Sequence, residues 1–191
     1  MNFLAHLYLS KHAEELMIGN FIADAVKGKN FEAYTPGVIQ GIKMHREIDA
    51  FTDAHYITKI SATRLMPRYR KYAGVIVDVF YDHFLAINWE QYHHESLPVF
   101  ADKVYQLMHQ NIDNLPPKSQ YLLPYMIKHN WLLNYSKIEG IQRTLTGMAS
   151  RTSFVSNMQF ATEELELYYQ DFDQEFKLFF EEARNHFGGL Y

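Results

Sequence analysis

The sequence predicts an all-α fold, in which a single helical domain over residues 1–191 surrounds one buried central helix at about residues 73–88. Apolar residues recur at helical spacing, and neither sustained strand-period alternation nor a βαβ pattern is present. The stretch from Gly74 to Asn88 is apolar on nearly every face, which is typical of a helix enclosed by other elements. A chain of 191 residues with 48% hydrophobic residues can bury a core of that kind.

Caps, prolines and glycines predict where the other helices begin and end. Thr35-Pro36 places a capping residue before a proline at the first helical position, and Ser136-Lys-Ile-Glu139 has the pattern of a capping box. Pro67 is expected to interrupt or kink the segment before the central helix. The predicted helices span about residues 11–27 (capped by Ser10 and ended by Gly28), 36–51, 98–112, 119–132 and 136–149, and a long one from Thr152 or Ser153 to near Gly188.

The central helix carries three strongly polar side chains among its apolar ones. Asp78 and Asp82 are four residues apart and therefore stack on one helix face, and His83 follows directly. A buried carboxylate is costly unless it is paired or bound to a cation. Salt-bridged acids in the core are one interpretation, and a metal site is the one that we favour.

Two preceding helices offer further candidate ligands. His45 and Asp49 are four residues apart on the apolar face of their helix, with Cβ atoms ~5–6 Å apart, which suits two ligands of one ion. They could equally form a hydrogen bond with each other. Asp24 lies near a helix C-terminus, where the helix dipole disfavours an acid; it is either functional or paired with Lys27 or Lys29.

The candidate ligands define the chemistry of the predicted site. The chain has no cysteine, so nitrogen and oxygen donors remain, and these suit Mn, Mg, Fe or Zn. Gly-x-Ser-x-Gly, Walker and dinucleotide-binding motifs are missing. His6 lies in an apolar N-terminal stretch that must also pack inward. Together these acids and histidines predict one or two divalent cations in a helical core.

The net charge and its distribution restrict the possible partners. The formal net charge of −4 argues against general nucleic-acid binding. The charged residues between His55 and Val77 are nevertheless all basic: Lys59, Arg64, Arg68, Arg70 and Lys71. They predict either a docking patch for an anionic partner or an ordinary solvated helix face.

The N-terminus predicts a cytoplasmic protein. The first residues lack the basic n-region of a signal peptide, and no uncharged run reaches the ~20 apolar residues that a membrane span needs. We therefore expect no association with a membrane. The sequence makes no prediction of oligomeric state.

Several separate blocks give the chain a resemblance to a known family. They are Asn2-Phe-Leu-Ala-His6-Leu, Gly19-Asn-Phe-Ile-Ala-Asp24, Gly41-Ile-Lys-Met-His45-Arg46-Glu-Ile-Asp49, Phe51-Thr-Asp53, Asp78-Val-Phe-Tyr-Asp82-His83-Phe-Leu and Gly147-Met-Ala-Ser-Arg151. In content and order these blocks resemble the bacterial acyl carrier protein phosphodiesterases, a family considered remotely related to the HD phosphohydrolases. The resemblance extends over nearly the whole chain.

The resemblance implies an activity and a cofactor. The family removes 4′-phosphopantetheine from holo-acyl carrier protein in the cytoplasm, using a divalent metal with manganese as the preferred ion. It implies an HD-phosphohydrolase-like fold, although the adjacent His-Asp pair of HD enzymes occurs here in reversed order, as Asp82-His83. Of the matching positions, Asp24 is the one most readily carried over as essential to activity.

These observations give a set of expected roles. We expect metal ligands and catalytic groups among the polar residues of the three helices, together with a basic landing stripe for the acidic carrier protein. The expected metal ligands are His45, Asp49, Asp78 and His83, with His6 as a further candidate. Asp24 and Asp82 are expected to be ligands or bases that orient water, and Arg46 either contacts phosphate or is simply exposed. The basic stripe consists of Arg64, Arg68 and Lys71.

Two other functions fit the sequence. One is a metal-dependent phosphohydrolase acting on a nucleotide or another small phosphodiester, which would be indifferent to the basic segment. The other is a non-catalytic helical module that binds an acidic protein and uses its buried acids and histidine as a polar network.

Overall fold

The computed structural model describes residues 1–11, 13–28 and 31–189, and these residues form helices and no β-strand. This confirms the predicted all-α class. The α-helices are α1 (Phe3–Leu9), α2 (Glu14–Ile22), α3 (Pro36–Ala54), α4 (Tyr56–Tyr69), α5 (Ala73–Ile87), α6 (Trp89–Tyr92), α7 (Leu97–Gln110), α8 (Pro117–Lys128), α9 (Trp131–Asn134), α10 (Ile138–Ala149), α11 (Thr162–Leu167) and α12 (Tyr169–Gly188). Short 3-10 turns lie at Ala23–Ala25, Arg70–Tyr72, Ile112–Asn114 and Met158–Phe160.

Helix α5 is the predicted central helix. Its side chains Val79, Phe80, Phe84 and Leu85 are completely buried. Helices α1, α4, α10 and α12 all pack against it. An apolar surface on every face of a helix is stable only when other elements remove it from water, and this arrangement does so.

The N-terminal region differs from the predicted helix over residues 11–27. The chain instead forms α1 and α2, and Lys11 between them has a positive φ of 50°. Ser10 ends α1, where its hydroxyl donates to the carbonyl of His6, and Ala13 is the residue before α2. The early start has a physical reason: the first helix buries its apolar residues against α5.

Thr35 and Pro36 begin helix α3 as expected, whereas Pro67 does not interrupt α4 at its own position. Thr35 Oγ1 accepts a hydrogen bond from the Val38 N–H (3.3 Å), and the helix continues three residues beyond its predicted end at Phe51. Pro67 lies in the last turn of α4, which ends at Tyr69, and the next residue, Arg70, has a positive φ of 51°.

The C-terminal half contains more breaks than predicted. Asn130 is left-handed (φ 41°) and divides the predicted helix 119–132 into α8 and α9. The capping box does not form, because the Ser136 hydroxyl donates to the carbonyl of Leu133 and Lys137 precedes α10. The long final helix is replaced by α11 and α12, which begin later than Ser153.

Two glycines set the distance between α2 and α3. A Cβ atom on Gly19 would lie 2.1 Å from the carbonyl oxygen of Val38, and one on Gly41 would lie 2.3 Å from that of Leu16. The two backbones can approach this closely because neither residue has a side chain. The contact brings the next residue of α2, Asn20, against α3.

In the part of the chain that the structure describes, no helix combines the length and hydrophobicity that a membrane crossing requires. The likeness to HD phosphohydrolases stays a prediction.

Candidate metal centre

Helices α1, α2 and α3 bring four polar side chains together: His6, Asn20, His45 and Asp49. The imidazole rings of His6 and His45 stack with their centroids 3.9 Å apart and an interplanar angle of 16°. Asn20 Oδ1 lies 2.9 Å from Nδ1 of His6 and 3.1 Å from Nδ1 of His45. One amide oxygen therefore joins two histidines from different helices.

The orientation of the Asn20 amide fixes the tautomer of both histidines. Its Nδ2 donates to the carbonyl of His6 and to the Ser10 hydroxyl, each at 3.0 Å. A carbonyl only accepts, so nitrogen must be at that end of the amide and oxygen at the other. Both Nδ1 atoms must then carry a proton and donate to Asn20. In the neutral rings the lone pairs are consequently on Nε2.

Both Nε2 atoms face carboxylate oxygens, and His6 Nε2 also lies 3.1 Å from the Met1 carbonyl oxygen. His6 Nε2 lies 3.1 Å from Asp49 Oδ1, and His45 Nε2 lies 3.2 Å from Asp49 Oδ2. Asp24, from the turn after α2, reaches the same place with Oδ1 3.5 Å from His45 Nε2. Lone pairs that face carboxylate oxygens repel one another unless a proton or a cation lies between them.

Burial and the neighbouring charges shift the pKa values of these groups. Burial lowers the pKa of His6. Burial also acts to lower the pKa of His45, but its hydrogen bonds to Asp24 and Asp49 outweigh that effect and raise the pKa to about 9. The hydrogen bond from His45 lowers the pKa of Asp24. Burial acts to raise the pKa of Asp49, but the two histidines hold it well below its ordinary range.

The donor atoms fit a divalent cation. One ligand atom each from His6, His45 and Asp49 lie within 4.8 Å of one another, and both histidines are largely buried. Two imidazole nitrogens and a carboxylate oxygen are donors that first-row divalent metals accept. Asn20 would supply the outer hydrogen bond that orients ligating histidines in metalloproteins.

The cluster lies in a cavity of about 460 Å³. Asp78, which we expected as a ligand, lines this cavity, as do Asp53 and Lys71. Asp78 Oδ1 accepts a hydrogen bond from the Met1 ammonium group at 2.7 Å. Asp78 is therefore near the cluster but holds another partner.

Asp82 and His83 lie apart from the cluster, in the core around α5. Asp82 is completely buried and accepts the backbone N–H groups of Asn2, Leu4 and Ala5, at 3.2, 2.7 and 3.2 Å. It therefore caps the N-terminus of α1 from another helix. Burial raises its pKa to about 7 against the effect of these N–H groups.

His83 joins α5 to two other helical segments. Its Nδ1 lies 2.8 Å from the Tyr135 carbonyl, and its Nε2 lies 2.9 Å from the Tyr169 hydroxyl. The carbonyl requires a proton on Nδ1, so Nε2 accepts from Tyr169. Both ring nitrogens have protein partners, and this geometry indicates a structural role.

Arg46 also has partners outside the cluster. Its guanidinium donates to the Val26 carbonyl at 2.9 Å and lies over the Phe31 ring. It thereby holds the loop between α2 and α3. Lys29, considered as a partner of Asp24, lies outside the described residues.

The basic stripe is largely paired within the protein. Arg64 forms a bidentate salt bridge with Glu175, at 2.7 and 2.9 Å. Arg68 forms salt bridges with Glu163 and Glu164, at 2.5 and 2.8 Å. Of the three cations, Lys71 faces the cavity of the cluster, with its ammonium 4.4 Å from the Phe154 ring centroid.

Sequence reasoning did not single out Asn20, although it lies inside one of the family blocks. Asn20 is buried and four residues before Asp24, so an amide on the inward face of α2 was the available signal. Asn20 contacts both histidines only because α2 and α3 cross closely, and residue spacing within one helix does not predict such a crossing.

The fold and the cluster define an all-α protein whose N-terminal helices enclose a candidate divalent-cation site. A family model described as acyl carrier protein phosphodiesterase matches residues 1–183. A protein of that name from Photorhabdus laumondii subsp. laumondii is 36% identical over 182 residues, which cover 94% of this chain and 91% of that protein. Proteins of the same name from Enterobacter sp. (strain 638) and Escherichia coli O139:H28 are 35% and 33% identical over 181 residues, and in both cases 94% of each chain is covered. No solved structure matches the chain.

The chain therefore belongs to the acyl carrier protein phosphodiesterase family, which confirms the resemblance inferred from the sequence blocks.

Proposed function

We propose that this protein is a divalent-metal-dependent hydrolase of the phosphodiester that links 4′-phosphopantetheine to the serine of holo-acyl carrier protein. The products are apo-acyl carrier protein and 4′-phosphopantetheine. In the reaction a water oxygen forms the new bond to phosphorus, the bond from phosphorus to the serine oxygen breaks, and that oxygen takes up a proton. The observation that carries the proposal is the convergence of His6, His45 and Asp49 in a chain of this family.

The proposed cation is manganese, which the family resemblance implies as the preferred ion. The donor set also suits iron or zinc. A divalent cation, when bound, offsets the negative charge of a phosphodiester and lowers the pKa of water from ~15.7 towards ~7. His6 and His45 would hold it through Nε2 and Asp49 through its carboxylate. Asn20 is a positioning residue, because its amide orients both rings.

Asp24 is the proposed catalytic carboxylate. Its side chain is 71% exposed, so it can reach a substrate in the cavity while it remains 3.5 Å from His45 Nε2. From there it would orient the attacking water or complete the ligand set. Asp78, Asp82 and His83 are outside the proposed ligand set because each has the other partners described above, and Arg46 holds a loop.

Mass spectrometry of holo-acyl carrier protein incubated with the enzyme tests the proposal. With manganese we expect loss of the phosphopantetheine mass and recovery of the free arm, and with a chelator we expect no loss. An intact holo-protein under every metal overturns the proposal; turnover of a small phosphodiester in the same samples would then indicate a small-substrate phosphohydrolase.

The variant Asn20→Ala separates orientation of the ligands from a general effect on folding. We expect its manganese affinity to fall by about 10–100-fold and its activity to recover at high manganese. Asn111→Ala is the matched control, since Asn111 bonds to a carbonyl of α7 away from the cluster. Unchanged manganese affinity in Asn20→Ala would contradict the proposed metal site.

A further inference from the structure

A second cavity, of about 430 Å³, adjoins the first, and the two cavities share part of their lining. Five residues from α1, α2 and α10, the position before α1 and the turn after α2 line both cavities: Asn2, Phe3, Phe21, Asp24 and Met148. The volume is within the ~300–1,000 Å³ of small-molecule sites. Asp24 is therefore at the junction, with the metal cluster on one side and a cavity of ligand size on the other.

The lining of the second cavity is amphipathic. Apolar surface comes from Phe3, Phe21, Leu122 and Trp131, and amide or hydroxyl groups come from Ser119, Asn134 and Thr144. A lining of this type matches a ligand that alternates methylene groups with amides rather than a purely apolar chain.

Three cations line the same cavity: Lys118, Arg143 and Arg151. Among the described residues, none of the three forms a salt bridge; Arg143 donates to the Asn134 side chain and Arg151 to the Gly147 carbonyl. The Lys118 charge acts on Asp24 at the junction. Cations without a carboxylate partner beside a cavity favour an anionic ligand.

Asn2 adds a hydrogen-bond donor at the junction. Its Oδ1 accepts from the Phe3 N–H at 3.0 Å, which fixes the orientation of the amide. Its buried Nδ2 then has no acceptor among the described residues. An unpaired buried donor is costly, and a shift of this side chain towards either cavity would let a ligand oxygen accept from it.

We propose that the second cavity binds the 4′-phosphopantetheine arm of the substrate, with the pantetheine chain inside and the phosphate at the junction near Asp24 and Lys118. This inference rests on the proposed function. The phosphodiester of the substrate joins two groups, the carrier protein and the pantetheine chain. A folded carrier protein cannot enter a cavity of this size, whereas the thin pantetheine chain can. The carrier protein itself is then left at the other cavity, on the side of Lys71.

Calorimetry with 4′-phosphopantetheine and with pantetheine, on the manganese-loaded enzyme, tests the proposal. Gly147 lines the cavity, and a Cβ there meets no atom within 4 Å, so Gly147→Phe can fill the cavity without a backbone clash. We expect this variant to bind both compounds at least about 10-fold more weakly than the wild type. Gly188→Phe, at the end of α12 and also in open space, is the matched control and should bind both normally.

A charge variant separates the phosphate from the chain. Lys118→Gln should weaken 4′-phosphopantetheine more than pantetheine, which lacks the phosphate, whereas Lys128→Gln on the same helix should change neither. A Gly147→Phe variant that binds both compounds like the wild type overturns the inference, as does a wild-type protein that binds neither. Failure of the proposed function is a separate result, since it appears as absence of arm release from holo-acyl carrier protein by the wild type.

Discussion

Single polar residues decide which of the candidate ligands can serve in the site. His6 and His45 can present Nε2 to a cation because the Asn20 amide occupies both Nδ1 atoms. The Nε2 atom of His6 also lies 3.1 Å from the Met1 carbonyl oxygen, so a cation would have to displace that contact. His83 has the same side chain but both of its nitrogens are engaged, by Tyr135 and Tyr169. The chemistry of an imidazole in this protein thus depends on its second hydrogen bond.

His83→Gln tests the structural role of His83 through the pH dependence of stability. Burial lowers the pKa of His83 below its ordinary 6.5, so the unfolded chain binds a proton at a pH where the folded protein does not. The free energy of unfolding contributed by neutral His83 is therefore present above pH 6.5 and decreases as the pH falls below that value. We expect the variant to lose less stability than the wild type between pH 6.5 and 5 in urea titrations.

Manganese affinity is the second measurement on that variant. A structural His83 predicts unchanged affinity, because Gln can still donate to the Tyr135 carbonyl and accept from Tyr169. A large loss of manganese affinity, with no change in the pH dependence of stability, would instead indicate that His83 is a metal ligand.

At the scale of elements, two contacts fix where α1, α2 and α3 lie. Asp82 on α5 accepts three N–H groups at the start of α1 and so attaches that helix to the central one. Gly19 and Gly41 let α2 and α3 cross in backbone contact. Together the two contacts place the three proposed ligands around one point.

Gly41→Ala should disrupt this crossing. The new Cβ would lie 2.3 Å from the Leu16 carbonyl oxygen and 2.9 Å from the Gly19 Cα, so the two backbones must separate. We expect a loss of about 1–3 kcal/mol in the free energy of unfolding and weaker manganese binding, because Asn20 moves away from His45.

Gly147→Ala is the control for Gly41→Ala, since it is also a glycine inside a helix but has open space around its Cβ. It should stabilise the protein by about 0.4–1 kcal/mol. Urea unfolding with manganese titration checks both variants, and equal stability of the two would contradict the close-packing argument.

At the scale of the whole molecule, charge pairing selects the surface that remains for a partner. Arg64 and Arg68 tie α4 to α11 and α12 through three glutamates. Their positive charge is therefore largely balanced within the fold. Lys71 lines the cavity of the cluster, and its ammonium lies over the ring of the exposed Phe154. We therefore restrict the proposed landing stripe to Lys71.

Lys71→Glu should weaken productive binding of holo-acyl carrier protein. We expect the KM for the carrier protein to rise and its dependence on salt to flatten, because a charge attraction is replaced by repulsion. Lys43→Glu is the charge-matched control, since Lys43 is exposed on α3 outside the cavity lining. Steady-state kinetics at low and high ionic strength compare the two, and equal salt dependence in both variants would remove Lys71 from the docking surface.

The all-α class and the buried central helix could be predicted from the sequence alone, and the histidines and acids of a possible cation site could be named from it. Period and apolar content were enough to predict α5, because a helix that is apolar all round must be buried, and the four-residue spacing of His45 and Asp49 placed two ligand types on one face. Spacing along one helix describes only the faces of that helix.

The tertiary structure decided which polar residues meet. Asp82 and His83 are in the central helix, as predicted, but their partners come from α1, from the residue after α9 and from α12, and local spacing did not indicate them. Asn20 reaches both histidines because two glycines, far apart in sequence, allow two backbones to touch. A helix crossing is a contact between residues far apart in sequence. Such contacts determine which residues meet in a site that three helices share, and local sequence patterns do not reveal them.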